Sequence, residues 1–151
     1  MTEKLIMFKI TDVDFGSGRY DELVELRYKV LLEPLGLKFL DMHRAKEISY
    51  LHIACIDNLE DKVVGGLMLI PLDNKAIRMM QVAVSPDFQG KGIGSDLVKY
   101  AEKRAKEAGF SKIVMHAMLS VVNFYEKMGY TQEGDIFDES GITFAKMIKH
   151  L

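Results

Sequence analysis

The 151-residue sequence has one cysteine, no tryptophan, three prolines and no excess of either charge: 20 Lys and Arg stand against 22 Asp and Glu, a formal net charge of -2. Each scarcity excludes something. Cys55 alone forms no intrachain disulfide and no Cys-rich zinc site, which fits a reducing compartment. The near-neutral charge lacks the basic excess behind non-specific nucleic-acid binding, and no His, Cys, Asp or Glu spacing suggests a metal. No apolar run approaches the roughly 18 residues that span a bilayer, and residues 1–10 carry Glu3, Lys4 and Lys9 where a signal peptide would be apolar. The expectation is a cytoplasmic protein without membrane or nucleic-acid partners. Pro34, Pro71 and Pro86 are scattered, so no linker divides the chain. With 48% apolar and 28% charged residues, residues 1–151 read as one globular domain.

Periodicity gives the order of elements. Residues 4–10 read as a first strand, and Leu23, Val24, Leu26, Val30 and Leu31 as the apolar face of a helix that stops near Pro34-Leu35-Gly36. Residues 37–49 are polar, with His43, Arg44, Lys46 and Glu47 expected on a solvated face. Apolar runs at 51–56, 63–70 and 76–84, separated by polar turns, predict an antiparallel meander. From Gly94 the period becomes helical, with Leu97, Val98, Ala101, Ala105 and Ala108 in one stripe and Gly109 as the stop. A strand at 112–117, a short helix near 120–128 and strands near 130–136 and 142–148 complete a mixed α/β (α+β) domain.

The stretch that carries chemistry runs from Met79 to Ser95: strand, turn, the alternate glycines Gly90, Gly92 and Gly94, then helix. Glycines at a helix mouth let a ligand approach unpaired backbone N–H groups and the positive end of the helix dipole, which suits a pyrophosphate. Lys91 adds a point charge. Neither common phosphate motif fits. A P-loop requires Lys then Ser or Thr after its last glycine, whereas Ser95-Asp96 follows Gly94; a dinucleotide fingerprint requires G-x-G-x-x-G in an early βαβ unit.

Gln89-Gly90-Lys91-Gly92-Ile93-Gly94, preceded by Val82-Ala83-Val84-Ser85-Pro86, resembles the Q/R-x-x-G-x-G/A acyl-CoA signature of the GNAT N-acetyltransferases. About 30 residues on, Phe124-Tyr125-Glu126-Lys127-Met128-Gly129-Tyr130 resembles that family's F-Y-E-K-x-G-F segment, and two ordered motifs are far more specific than one. Phe137-x-Glu139-x-Gly141-Ile142 with Met147, and Leu26-Arg27-x-x-Val30-x-x-Glu33, are similar to ElaA-like members. Phe144 stands where those members often have His, and Pro34 where Gln is usual.

The resemblance implies a largely antiparallel sheet flanked by helices, with one splayed strand pair. It implies acetyl-CoA as cosubstrate, held by the backbone of Val82, Ala83 and Val84 and by the amides of Gln89, Gly90, Lys91, Gly92, Ile93, Gly94 and Ser95. An amine of a small molecule or peptide would attack the thioester directly. Tyr125 aligns with the tyrosine placed near the thioester sulfur. With free pKa values of about 10 for Tyr and 8.5 for a thiol, full proton donation is uphill by roughly 2 kcal/mol, so hydrogen-bonding the leaving sulfur is at least as good a role. Met118 replaces a common asparagine, and Arg78 stands where some members carry the glutamate base. Glu33, His116 and a water relay are the substitutes. An acyl-CoA-binding sensor without chemistry is the alternative reading; homodimers are common in similar proteins, and the sequence leaves that open.

Overall fold

The computed structural model describes residues 7–37 and 41–151, the side chains of 41–43 apart. Strand β1 (Phe8–Val13) pairs antiparallel with β2 (Leu51–Asp57), β2 with β3 (Lys62–Pro71), and β3 with β4 (Ala76–Val84). The predicted meander is thus present. Its apolar runs are near-continuous because both faces of β2 and β3 are covered, so polar residues have no side to alternate onto. Asp73 closes the turn into β4, its carboxylate accepting from the amides of Lys75 and Ala76, both at 2.7 Å.

A crossover through helix α3 (Ile93–Glu107) leads to β5 (Lys112–Met118), parallel to β4. After α4 (Val122–Lys127), the short strands β6 (Thr131–Gln132) and β7 (Phe137–Glu139) both pair with the long β8 (Ile142–His150), which lies against β5. The strand order among the described residues is β1-β2-β3-β4-β5-β8-β6, with β7 also on β8. Helix α1 (Gly18–Arg27) covers one face of the sheet and α3 the other; between them in sequence comes α2 (Asp41–Lys46). No helix of the described residues is long and apolar enough to cross a membrane.

Two adjacent glycines fix how closely these layers approach. A Cβ on Gly65 would meet Leu97 and Ile93 of α3 at 3.1 and 3.2 Å, whereas one on Gly66 would fall 2.2 Å from Leu23 of α1 and 2.7 Å from the Ile53 carbonyl. Successive strand residues face opposite ways, so the pair serves both layers. Leu23 can turn aside but the carbonyl of the neighbouring strand cannot. Gly66→Ala is therefore expected to lower unfolding free energy by about 2 kcal/mol in urea denaturation. A loss below about 0.5 kcal/mol would show that the layers yield more easily than this packing implies.

Several boundaries differ from the sequence reading. The first strand begins at Phe8; residues 4–6 lie outside the described set. The anticipated strand at 130–136 is cut to two residues, because Gly134 at φ +78 turns the chain before β7, which periodicity did not separate. The first helix changes at Tyr28 into a five-residue π turn, Tyr28–Leu32, then a 3-10 turn, Glu33–Leu35, stopped by Gly36 at φ +71. Its buried line runs through Tyr20, Leu23 and Arg27, an arginine that an apolar stripe does not predict.

The feature that makes a site lies between β4 and β5. They pair only over Ala76–Arg78 and Lys112–Val114, then part. On its other edge β4 carries a bulge: Gly66 faces Ala83 while Met68 faces Met80, so β4 has one residue too many, and Gln81 takes φ +55. An extra residue bends and twists the strand that holds it, which turns the end of β4 away from β5.

Candidate active site

The parted strands enclose a cavity of about 360 Å³. Its walls are Met79, Met80 and Val82 from β4 and Met115, Ala117 and Met118 from β5, with Leu31, Leu32, Leu35 and Leu37 closing one side. The π turn explains that side: widening the helix by one residue per turn rotates Leu31 and Leu32 off the helical line set by Leu23 and toward the gap. Polar groups enter at Arg78, Gln81, His116, Tyr125, Glu139 and Ser140.

At the far end of β4 is the glycine-rich mouth of α3. Gly92, at φ +82, is the residue before the helix and makes no side-chain cap, and the first turn closes with the Asp96 amide on the Gly92 carbonyl at 3.1 Å. The amides of Ile93, Gly94 and Ser95 therefore have no intrahelical acceptor. Gly90 also has a positive φ, +79. A Cβ on Gly94 would lie 3.7 Å from the Phe124 ring and 3.8 Å from Val84, so a longer side chain would close the space between the helix mouth and α4. Uncapped amides, positive dipole end and missing side chains fit a phosphate-bearing ligand. Gln89, Gly90, Lys91 and Gly92 are exposed at the rim.

Between mouth and cavity runs the open edge of β4. The Ser85 amide donates to the Val64 carbonyl at 2.8 Å, so by antiparallel alternation the amide and carbonyl of Val84 point away from β3, toward the gap. The Val84 carbonyl accepts from the Gln89 side-chain amide at 3.1 Å, tying the loop to the strand. Val82 lines the cavity, and Ala83 is buried against Gly66.

Tyr125, on α4, is 6% exposed and lines the cavity. Its ring is held edge-on between Phe124 and Tyr130, with centroids at 4.9 and 5.7 Å. The other buried or half-buried tyrosines in ion networks use their hydroxyls on carboxylates: Tyr20 on Glu47 at 2.8 Å, Tyr100 on Asp12 at 2.9 Å and Tyr130 on Glu102 at 2.9 Å. The Tyr125 hydroxyl makes no hydrogen bond among the described residues, and burial pushes its pKa up to about 12. It is a protonated donor turned to no partner.

His116 also lines the cavity, its ring edge-on to Phe137 at 5.0 Å. Its Nδ1 accepts from Arg78 Nη2 at 2.8 Å, and Glu139 Oε2 lies 4.0 Å from the same nitrogen. Burial, then the Arg78 charge, pull the imidazole below its ordinary pKa. Glu33 is exposed on the 3-10 turn and is absent from the lining, where its neighbours Leu31, Leu32 and Leu35 stand. Of the three catalytic candidates, then, the fold brings Tyr125 and His116 into one cavity and leaves Glu33 outside it. Glu139, unassigned by sequence beyond its place in a motif, joins His116 through the β7–β8 hairpin.

The sequence of residues 17–130 matches the Acetyltransferase (GNAT) family. The chain belongs to the GNAT family. Human N-acetyltransferase 8B is 28% identical over 86 residues, which are 52% of this chain and 38% of that protein. The chain thus spans well under half the length of that curated relative. In three dimensions the Lactobacillus plantarum "putative N-acetyltransferase" superposes with TM-score 0.86 at 25% identity, covering 96% of this chain and 99% of that one. Escherichia coli ElaA gives 0.80 at 20%, covering 95% and 99%. An aminoglycoside 6'-N-acetyltransferase complexed with coenzyme A gives 0.78 at 18%, covering 94% and 96%. The last two likenesses concern the fold, a mixed sheet flanked by helices, as this GNAT chain was expected to have.

Cys55, in the middle of β2, is buried, and burial pushes its thiol to about 12, so it is a core residue rather than a nucleophile. Glu47, expected on a solvated face, is instead buried against Arg27 and Tyr20; the side chain of His43 lies outside the described residues. Beside Glu47, His52 is 2% exposed, and its Nε2 donates to the Glu47 carbonyl at 2.8 Å. Burial holds His52 below its ordinary pKa, as it does His116. For both, the folded protein favours the neutral ring. Their contribution is thus full above the unfolded value of about 6.5 and is lost as pH falls through the lowered folded values. Thermal midpoints should decline between pH 7.5 and 5.5, and His52→Gln with His116→Gln should flatten that decline. An equal slope in the double variant would assign it to other groups.

Proposed function

We propose that this chain moves an acetyl group from acetyl-CoA to an amine on a small molecule or peptide. Acetyl-CoA, when bound, supplies an acyl thioester open to attack by the amine. The uncapped amides of Ile93, Gly94 and Ser95, with the Gln89–Gly92 loop and Lys91, bind its diphosphate. The backbone of Val84, turned from β3, and that of Val82 hydrogen-bond its amide arm along the parted strand, while Ala83 anchors that edge. The apolar walls exclude water from the reacting centre. Tyr125 donates a hydrogen bond to the sulfur as the carbon–sulfur bond breaks and CoA leaves as a thiolate.

The amine must reach the thioester uncharged. Because Nδ1 of His116 accepts from Arg78, the neutral ring carries its proton on Nε2 and is a donor to the cavity. The amine's proton therefore leaves through water toward the Glu139 carboxylate, 59% exposed at the cavity edge. Glu33 takes no part.

One observation carries this reading: the hydroxyl of a mostly buried tyrosine, without a protein partner among the described residues, stands where a strand pair opens, beside an uncapped helix mouth. The test is amine-dependent release of CoA thiol from acetyl-CoA by the purified protein over a panel of amines. Release with at least one amine is expected. Tight acetyl-CoA binding with no release would make the chain a sensor, and ATP competing as well as CoA would remove the CoA site.

A further inference from the structure

Arg78 is a cation in an unusual place. It lies on β4 at the last rung of the β4–β5 pairing, opposite Val114, and so at the closed apex of the cavity. Its one hydrogen bond among the described residues is to a neutral imidazole, and its Nε is buried with no partner. It makes no ion pair within 4.0 Å among those residues; the nearby carboxylate, Glu139, is mostly exposed and faces His116. A guanidinium keeps its charge when desolvated, and a buried charge is costly unless a charged partner meets it. Burial does pull Arg78 below its ordinary pKa. Three residues further along β4, at the bulge, Gln81 Oε1 is a buried acceptor with no partner. Glu139 opposes the Arg78 shift from a distance, so the cavity floor offers a cation with no carboxylate in contact among the described residues and an unmatched acceptor, under walls of leucine and methionine.

We propose that the amine acceptor is an apolar amino acid or similar carboxylate-bearing amine, its carboxylate held by Arg78 and its body packed against Leu31, Leu32 and Leu35. This rests on the transferase reading above. Val82 is four residues beyond Arg78, at most about 13 Å along an extended strand and less across a bulge. The Arg78 guanidinium reaches past its own rung, opposite Val114, to His116 two residues further along β5, which shortens the gap to one that a single small molecule bridges with its carboxylate and amine. A cavity of about 360 Å³ is at the small end for ligand sites, which suits an amino acid better than a large polycation. The neutral His116 holds one Nη group and leaves the rest of the guanidinium fork for the carboxylate.

The experiment compares leucine with leucinamide and 3-methylbutylamine as acceptors, and titrates 4-methylpentanoate, which has the carboxylate and body but no amine, by calorimetry. Leucine should show kcat/KM at least about tenfold above both analogues. Arg78→Gln should erase that ratio and abolish 4-methylpentanoate binding while acetyl-CoA affinity is kept; Arg78→Lys, with charge but no fork, should fall between. Equal use of 3-methylbutylamine, or 4-methylpentanoate binding that is missing or survives in Arg78→Gln, overturns the proposal. If no amine supports CoA release, the transferase reading fails, and the carboxylate titration still decides Arg78 alone.

Discussion

Replacing Tyr125 by phenylalanine should lower kcat by about a hundredfold in steady-state assays and leave acetyl-CoA affinity, measured by calorimetry, unchanged. The ring is packed edge-on between Phe124 and Tyr130, so phenylalanine keeps the packing and removes only the oxygen. That oxygen makes no hydrogen bond among the described residues, so its loss leaves no protein group unsatisfied and stability is expected to hold. In the proposed reading, affinity for acetyl-CoA comes from the helix mouth and the edge of β4, which the substitution does not touch.

The pKa of about 12 at Tyr125 also separates two roles. Against a thiol near 8.5, complete transfer of the proton is uphill by roughly 5 kcal/mol, more than the roughly 2 kcal/mol for a solvated phenol. Donating a hydrogen bond to the sulfur as charge builds has no such penalty. The rate should therefore show no tyrosine ionisation up to about pH 10, because the group stays protonated until well above that value. An alkaline limb near pH 10 that vanishes in Tyr125→Phe would mean that the hydroxyl is solvated during turnover, and the hundredfold loss would then need another cause.

What was legible in the sequence is what neighbours in sequence decide. The helix mouth could be read because Gly90 and Gly92 act on their own backbone, and the turn after Pro71 because Asp73 caps residues two and three places on. The splayed strands were an expectation of family resemblance rather than of periodicity. Their physical cause, a bulge at Gln81, has no glycine or proline to mark it, since φ +55 falls on a glutamine. The polar half of the site was hidden for a different reason. Arg78 meets His116 across 38 positions, and His116 meets Glu139 only because a short β7 folds back on β8. Glu33 looked suitable by its place after the first helix, but a π turn there directs leucines rather than the carboxylate into the cavity.

Glu47→Ala is expected to destabilise the fold by about 3–5 kcal/mol, enough to lower the thermal midpoint by roughly 10 °C. Glu47 is 4% exposed and Arg27 0%. Arg27 Nη2 donates to both carboxylate oxygens, at 3.0 and 2.8 Å, and the Tyr20 hydroxyl donates to one of them at 2.8 Å. Alanine removes the acceptor of all three bonds at once, inside a site that water enters poorly. The exposed Arg44–Asp21 pair beside it should be worth under about 1 kcal/mol, so Asp21→Ala is the control that separates burial from charge pairing. Replacing both partners, Arg27→Met with Glu47→Leu, should cost much less than Glu47→Ala alone, because neither ion of the pair is then left in the interior. A double variant as unstable as the single one would mean that packing, not the lost Arg27–Glu47 ion pair, sets the loss. The network also has a functional reach. Arg27 ends α1, and the next residues form the π turn that carries Leu31 and Leu32 to the cavity wall. Below its melting temperature, Glu47→Ala should therefore raise KM for the acceptor more than KM for acetyl-CoA, whose proposed cradle is the mouth of α3 across the sheet.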